Sequence, residues 1–279
     1  MAECKCECEC KRPDYAMLPV CLAVDKSMLD KDCDCMAAYL PPDNLYVSVD
    51  GDDANDGLSW ETAFRTVQAA VDRTGGYLQL GKPITINVGP GEFVGTIWVD
   101  SDLHYKNLKI VGTSERPTLK GDIRATSSRL ELNNLHVVAA HRGIFSDRSP
   151  AIMVVNCSFN AEGSGKNVFY TTRGGSIILS ENIDVQCFNI YSVFNIILGG
   201  TLQAQKSNVA INGNVSRATV RASSNGTIFF NEDAYLSGSV TGKKYEIHTG
   251  GILYMGDNAI IPGTIAGTIT TDSYRGPAI

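Results

Sequence analysis

The chain has 279 residues, of which 43% are hydrophobic and 19% are charged, and its formal net charge is -6. This mildly acidic balance argues against nucleic acid or an anionic membrane as the main partner. No apolar stretch reaches the roughly 18–20 residues that a membrane span needs, and the N-terminus lacks the apolar core of a secretory signal peptide. We therefore expect no membrane span and no export by the general secretory route.

The N-terminal segment, residues 1–43, differs in composition from the rest of the chain. Seven of the nine cysteines lie here, beginning with "CKCECEC" at 4–10, and the segment ends beside Pro41 and Pro42. It is too short and too polar to build a core of its own. We expect residues 1–43 to be an attachment arm and residues 44–279 to form the folded domain.

The state of these cysteines has three alternatives. They form disulfides, in which case the odd number leaves at least one thiol free or intermolecular unless it pairs with Cys157 or Cys187. They bind zinc, although C-x-C is tighter than the usual zinc spacing. They stay as free thiols, since a cytoplasm keeps thiols reduced. The candidate ligands for zinc, or partners for disulfides, are Cys4, Cys6, Cys8, Cys10, Cys33 and Cys35.

The segment "DGDDANDG" at 50–57 places four acidic residues within eight positions. Its composition is like that of a calcium loop, but the ligand positions and the final glutamate of an EF-hand are missing. The alternative is a tight turn in which Asp and Asn side chains bond their own backbone. Calcium near Asp50–Asp56 stays open beside that interpretation.

A helix is expected over 61–73, with Ser59 as its N-cap and Gly75 and Gly76 at its end. Phe64 and Val67 lie on its apolar face. An exposed end of a β-structure has unpaired strand groups that must be covered. We expect this helix to cap the N-terminal end of the domain, with Phe64 and Val67 inserted into its interior.

A short phrase recurs through the second half of the chain: a glycine, an apolar run, then Asn or Asp. Its glycines are Gly175, Gly200, Gly226 and Gly251, at intervals of 25 or 26 residues. Two further columns share the interval of 25: Gly213 with Gly238 and Gly263, and Gly242 with Gly267. A fixed period of this length indicates stacked repeats, and we expect the glycines to supply bends with positive φ.

The runs between the glycines are short and rich in β-branched residues, which favours strands over helices. Three strands and three bends in each period make one coil of a parallel β-helix, and strands upstream, such as "NLKIVG" at 107–112, extend the pattern. Dividing the span by the period predicts about eight coils. Asn208, Asp233 and Asn258 are expected to form one polar column at a bend.

Two stretches resemble a known family. "LYVSVDGDDANDGLSWETAFRTVQAAVD" at 45–72 resembles the opening of the pectate-lyase-like right-handed β-helix superfamily. "GSVTGKKYEIHTGGILYMGDNAIIPGTIAGT" at 238–268 is similar to the closing coils of phage and prophage tail-fibre or tailspike proteins. The expected fold is therefore an all-β, right-handed parallel β-helix with an N-terminal helical cap and a Cys-rich arm.

The resemblance also implies a function. A virion surface protein is expected, commonly a homotrimer, that is assembled in the host cytoplasm and docks to other virion proteins through residues 1–43. Its role would be that of a tail fibre, spike or capsid decoration, with a host surface glycan as the candidate ligand.

Polysaccharide-degrading enzymes share this fold, so a lyase or glycoside hydrolase is the alternative. Glycoside hydrolysis uses two carboxylates, and equivalent positions of neighbouring coils lie about 4.8 Å apart. Glu232 and Asp257 are the candidate pair. Both fall in a bend rich in Asn and Asp, which favours a solvated turn and a non-enzymatic protein.

Overall fold

The computed structural model describes residues 42–76, 82–100 and 106–270, together with the backbone pairing of 274–275. The chain divides between Leu40 and Pro41, and the described residues all belong to the second unit. The predictions for the cysteine arm, including zinc and disulfides, lie outside the described residues.

The described unit is a parallel β-solenoid of about 7 turns, and strands account for 59% and helices for 4% of the structure. The prediction of about eight coils was slightly too high, because it divided the whole span from Gly76 to Gly267 by the period, whereas the complete turns run from Ile84 to Ile247. After Ile247 only short strands continue the stack.

Each turn contributes one strand to each of three parallel sheets. The strands of the first sheet are β1 (Asn44–Val47), β2 (Ile84–Val88), β5 (Asn107–Gly112), β8 (Arg129–Asn133), β11 (Ala151–Val155), the start of β14 (Ser176–Ile190), the start of β16 (Thr201–Ser223), β17 (Thr227–Phe230), β20 (Ile252–Met255) and β22 (Tyr274–Arg275). The long strand β14 continues around a corner into the second sheet, and β16 continues through both the second and the third sheets.

The other two sheets are built in the same way. The second sheet contains β3 (Glu92–Val94), β6 (Thr118–Lys120), β9 (His136–Ala139), β12 (Ser158–Glu162), the later part of β14, the middle of β16 and β18 (Ala234–Ser237). The third sheet contains β4 (Ile97–Asp100), β7 (Ile123–Thr126), β10 (Arg142–Asp147), β13 (Asn167–Thr172), β15 (Ser192–Ile197), the end of β16, β19 (Val240–Ile247) and β21 (Thr268–Ile269).

The core is a set of aliphatic columns that run along the solenoid axis. In the first sheet one column consists of register partners that are 0–1% exposed: Ile84, Leu108, Leu130, Ile152, Ile177, Leu202, Ile228 and Leu253. Burial of each such side chain contributes about 1.5–3 kcal/mol. Alternate residues of a strand point to opposite faces, so the residues on either side of each column member along its strand point to the outer surface.

The glycine column of the repeated phrase is confirmed, but its physical reason differs from the one expected. Thr201 N donates to Gly175 O at 2.8 Å, and Thr227 N donates to Gly200 O at 2.9 Å, so these glycines stack. They do not have positive φ, which belongs instead to the glycine before them, Gly174 or Gly199, and to Gly213, Gly238 and Gly242 of the further columns, where the expectation of positive φ is confirmed. A Cβ on Gly175 would lie 2.4 Å from the backbone oxygen of Ser146 in the preceding turn, so close approach of two turns excludes a side chain there.

The two further glycine columns were wrong. Gly213 pairs with Val240 rather than with Gly238, and Gly267 lies against the ring of Tyr245 rather than over Gly242. The register interval changes within β16 before this point, from 26 residues between Ala204 and Phe230 to 27 between Ser207 and Ala234. A constant interval in sequence therefore does not give constant alignment in space, because the corners differ in length from turn to turn.

The expected polar column was also wrong in its members, since Asn208 pairs with Tyr235 and not with Asp233. Asn208 instead donates from Nδ2 to Asn182 Oδ1 at 3.2 Å. Asn182 in turn donates to Asn156 Oδ1 at 3.1 Å. These three asparagines form a ladder at the corner between the first and second sheets. Successive members are 26 residues apart in sequence.

The N-terminal helix, α1 (Val67–Arg73), begins six residues later than expected. Its N-cap is Thr66, whose Oγ1 accepts from Ala69 N at 3.1 Å, whereas Ser59 Oγ accepts from Thr62 N in the turn before it. Phe64 is buried as expected, but its backbone N donates to Tyr46 O at 2.9 Å. Strand-like pairing with β1 therefore replaces the first turns of the expected helix.

Helix α1 packs against the first strands of the solenoid. Val67, Ala70 and Val71 are buried, and the helix contacts β1, β2 and β4. The Gln68 side chain accepts from Trp98 N at 2.7 Å and donates to Trp98 O at 3.2 Å. This amide thus satisfies both backbone groups of one residue of β4.

Candidate functional site

The predicted carboxylate pair lies in two neighbouring, exposed bends. Glu232 and Asp257 are both exposed, and Asn258 Nδ2 donates to Glu232 O at 2.8 Å, so the two bends are in contact. A cleft of about 400 Å³ is lined by Glu232, Phe229 and Tyr254, among others. The rings of Phe229 and Tyr254 stack at 4.7 Å with 2° between their planes.

The acidic segment 50–57 uses its carboxylates to order its own backbone. Asp53 Oδ1 accepts from Arg65 N at 2.9 Å and from Thr66 N at 2.8 Å. Asp56 Oδ1 accepts from Thr62 Oγ1 at 2.7 Å, and this hydrogen bond lowers the pKa of Asp56. These contacts explain the segment as a turn that leads into α1, while calcium at Asp50–Asp56 stays a prediction.

A different surface, which was not predicted from the sequence, brings aromatic rings and guanidinium groups into contact across several turns. We name it the aromatic–guanidinium stripe, and it consists of Trp98, Arg124, Arg142, Phe145 and Tyr170. Register pairing places Trp98 beside Arg124, Arg124 beside Phe145, and Phe145 beside Tyr170. These four side chains form one column on the outer face of the third sheet, at intervals of about 4.8 Å.

The rings and the guanidinium groups of the stripe are in direct contact. The Arg124 guanidinium lies 4.6 Å from the centroid of Trp98, and that of Arg142 lies 5.0 Å from Phe145 and 4.2 Å from Tyr170. The Phe145 and Tyr170 centroids are 5.5 Å apart. Such cation–π contacts hold each long side chain flat along the sheet, and Trp98 remains 44% exposed.

A buried carboxylate fixes one of the two arginines. Asp122, which is 1% exposed, accepts from Arg124 Nη2 at 3.0 Å. Its other oxygen accepts from the backbone N–H groups of His141 and Arg142, at 2.7 and 2.9 Å. Asp122 thus neutralises Arg124 and also anchors the start of β10, from which the Arg142 side chain emerges. Among the described residues, no ion pair involves Arg142.

Two further carboxylates at this sheet are buried and surrounded by cations. Asp147 pairs with Arg173 and, at 3.7 Å, with Arg148. Glu246 pairs with Arg217 and, at 3.1 Å, with Lys243, and His248 Nε2 lies 3.4 Å from its carboxylate; we call these residues the Glu246 cluster. Burial raises the pKa of Glu246, but the hydrogen bonds from Arg217 and Lys243 outweigh it, so that the pKa lies below its usual value.

Cations are therefore in excess along the third sheet although the whole chain is negatively charged. Four carboxylates, those of Asp100, Asp122, Asp147 and Glu246, lie on or at the edge of this sheet, beside a larger group of basic side chains. These are Arg124, Arg142, Arg148, Arg173, Arg217, Arg221 and Lys243. Flat rings, fixed N–H donors and local positive charge together suit a ligand with apolar faces and oxygen-rich edges.

The stripe was not predicted from the sequence, because its members are far apart along the chain. Trp98, Arg124, Phe145 and Tyr170 are separated by 26, 21 and 25 residues. The repeat period carried the necessary signal, but it was assigned only in the second half of the chain. Once the turns upstream are aligned, aromatic and arginine residues fall at one outward position in each of four turns.

No group of three or more His, Cys, Asp or Glu side chains suited to a metal ion occurs within the described ranges. Across those same ranges, no helix is long and apolar enough to cross a bilayer. Comparison with protein-family models, with curated proteins and with solved structures found no match to this chain.

Proposed function

We propose that this chain is a non-enzymatic binding and structural protein whose third sheet adheres to a surface polysaccharide. The aromatic–guanidinium stripe is the observation that carries the proposal. Aromatic rings offer the apolar contact area that the C–H faces of sugars need, and guanidinium groups donate to hydroxyl oxygens in fixed directions. A rigid stack of turns holds these groups in place without rearrangement on binding.

The setting we propose for this activity is the surface of a bacteriophage or prophage particle. The resemblance of residues 45–72 and 238–268 supports it, and the parallel solenoid agrees with the fold that this resemblance implies. In this proposal residues 1–43 attach the chain to other virion proteins, and the coil is right-handed. Helix α1 caps the first turn, and the pairing of Gln68 with Trp98 supports that role.

A trimer is the proposed assembly, and its measurement is simple. Light scattering on the full-length chain should give three times the mass of 30.0 kDa. A monomeric mass would remove the trimer from the proposal while leaving the binding surface to be tested by itself.

Binding is tested with a panel of purified capsular and lipopolysaccharide glycans from bacterial hosts. The chain should be retarded by at least one glycan in affinity electrophoresis, and Trp98→Ala and Tyr170→Ala should each weaken retention about tenfold. Tyr235→Ala is the control, since Tyr235 is 53% exposed but lies in the second sheet. Equal loss in all three variants, or no retention by any glycan, would contradict the proposal.

The second candidate is a polysaccharide depolymerase that uses Glu232 and Asp257. The cleft beside Glu232 and the stacked pair Phe229 and Tyr254 favour it. An enzyme would release new reducing ends or unsaturated products from the bound glycan, and Glu232→Gln and Asp257→Asn would abolish release. Under our proposal the glycan keeps its length, and both variants bind as the unmodified chain does.

A further inference from the structure

We infer that the ligand of the stripe is an anionic polysaccharide, and that Arg142 is the residue that recognises its acidic group. This inference rests on the binding function proposed above and deepens it. The reason lies in the difference between the two arginines of the stripe, which occupy similar positions on neighbouring aromatic rings but have different electrostatic surroundings.

Arg124 is already neutralised within the protein. Its Nη2 lies 3.0 Å from Asp122 Oδ2, and the Asp122 carboxylate is almost fully buried, so no ligand can displace it without leaving a buried charge unpaired. Arg124 therefore holds the rings of Trp98 and Phe145 in place. It contributes little net charge to a bound molecule.

Arg142 is in the opposite situation. Its guanidinium lies over both Phe145 and Tyr170, at 5.0 and 4.2 Å from their centroids, which are themselves 5.5 Å apart. It is half-buried and takes part in none of the ion pairs that the described region contains. The rings remove water from one side of the group, which strengthens its attraction for an anion that arrives from the other side.

A guanidinium that is held flat suits the planar, two-oxygen edge of a carboxylate, and also the oxygens of sulfate or phosphate esters. These groups share one chemistry, which is several acceptor oxygens with negative charge. The neighbouring rings of the stripe are placed to contact the sugar faces next to the acidic group. The polymer would then lie along the solenoid axis and cross successive turns.

The spacing of charge favours a polysaccharide over a nucleic acid. Each strand of a DNA double helix carries one phosphate about every 3.4 Å along the helix axis. From Trp98 to Tyr170 the stripe spans three intervals, on the order of 14 Å, and offers Arg142 as its one guanidinium without an ion-pair partner among the described residues. The whole chain is acidic, with a net charge of -6, which disfavours a polymer as densely charged as DNA.

The experiment compares polymers that share a backbone and differ in charge. Binding of neutral dextran, carboxymethyl dextran, dextran sulfate and single-stranded DNA is measured by calorimetry on the full-length chain at low and physiological salt. At least one of the two acidic dextrans should bind, the neutral dextran should bind more than tenfold more weakly, and the affinity should fall with added salt.

Variants locate the effect at one guanidinium. Arg142→Gln should weaken binding of the acidic dextran about tenfold, and Arg142→Lys should recover part of the loss, because it keeps the charge but not the planar fork. Arg129→Gln is the matched control, since Arg129 is exposed on the first sheet and the charge change is the same. Thermal unfolding of all three variants checks that the fold is retained.

Four results would overturn the inference. These are equal affinity for neutral and acidic dextran, no binding of either acidic dextran, an Arg129→Gln effect as large as that of Arg142→Gln, or Arg142-dependent binding of DNA at equal strength. Equal affinity for neutral and acidic dextran would leave the proposed adhesion intact. Failure of the host-glycan panel would remove the adhesion itself, so the two can be told apart.

Discussion

Phe194 stacks on Phe169 inside the solenoid, with ring centroids 5.4 Å apart and 13° between their planes. Phe159, on β12 of the same turn as Phe169, meets Phe169 edge-on, and Phe230 on β17 meets Phe194 edge-on. These four aromatic side chains, which come from three turns of the solenoid, are therefore in continuous contact. Removing one of these rings should therefore also remove packing contacts from the rings that it touches.

We expect Phe194→Ala to lower the free energy of unfolding by about 3–5 kcal/mol, because the side chain is fully buried and its neighbours cannot collapse into the cavity. Phe188→Ala is the control, since Phe188 is 63% exposed, and it should change stability by less than about 0.5 kcal/mol. Chemical denaturation followed by circular dichroism measures both. Similar losses in the two variants would contradict the interior stack.

Glycine at position 213 is required by contact between turns. A Cβ there would lie 1.6 Å from the backbone oxygen of Cys187, whereas a Cβ on Gly95 would meet nothing within 4 Å. Their φ values are similar, +126° and +134°, so backbone strain of about 1–3 kcal/mol is common to both alanine variants. Gly213→Ala should be clearly less stable than Gly95→Ala in denaturant midpoint, and equal midpoints would argue against the close approach.

The Glu246 cluster should make stability depend on pH in the acid range. The folded-state pKa of Glu246 lies below its usual value, so the ionised carboxylate stabilises the fold at pH above the unfolded pKa of about 4.3. That contribution is lost as pH falls through the folded-state pKa. Glu246→Gln should therefore reduce stability by about 1–3 kcal/mol at pH 7, and the two proteins should converge in acid.

Denaturation curves at several pH values between 7 and 3 measure this convergence. Glu131→Gln is the control, because the Glu131 side chain is about one-third exposed and its pair with Lys109 is a surface pair, which contributes little. A Glu246→Gln deficit that stays constant or grows as pH falls would exclude the proposed linkage.

Two cysteines of the solenoid should be chemically inert in the folded protein. Burial raises the pKa of both Cys157 and Cys187 to about 11, and the thiolate is the reactive form. Iodoacetamide at pH 8 should leave both unmodified until denaturant is added, as peptide mapping by mass spectrometry would show. Rapid native modification of Cys157 would contradict its position between Leu132 and Val155.

Much of the fold follows from local sequence patterns. Alternating apolar residues in stretches such as "NLKIVG" predicted strands that the structure confirms as β5 and its equivalents. The column through Gly175 and Gly200 was also correct. Each glycine directly precedes a strand of the first sheet, and the hydrogen bonds between these strands align the glycines of adjacent turns. These predictions needed only the strand period and the repeat.

Register across corners could not be predicted in the same way. Neighbouring turns differ in length: Leu108 and Leu130 are partners 22 residues apart, and Leu202 and Ile228 are partners 26 residues apart. The extra residues enter at corners and bulges, where the hydrophobic pattern gives no constraint. For this reason the columns through Gly213 and Asn208 were misassigned, and the stripe at Trp98 and Tyr170 was not recognised.

The stacking of like positions in successive turns is the claim on which the surface assignments depend. Asn182→Cys combined with Asn208→Cys should form a disulfide under mild oxidation, since these residues are register partners with side chains in contact. Asn182→Cys combined with Ala210→Cys should not, because the diagonal neighbour lies beyond about 7 Å. A mass-spectrometric map that shows the first link and not the second supports the solenoid; absence of the first link, or equal formation of both, would contradict it.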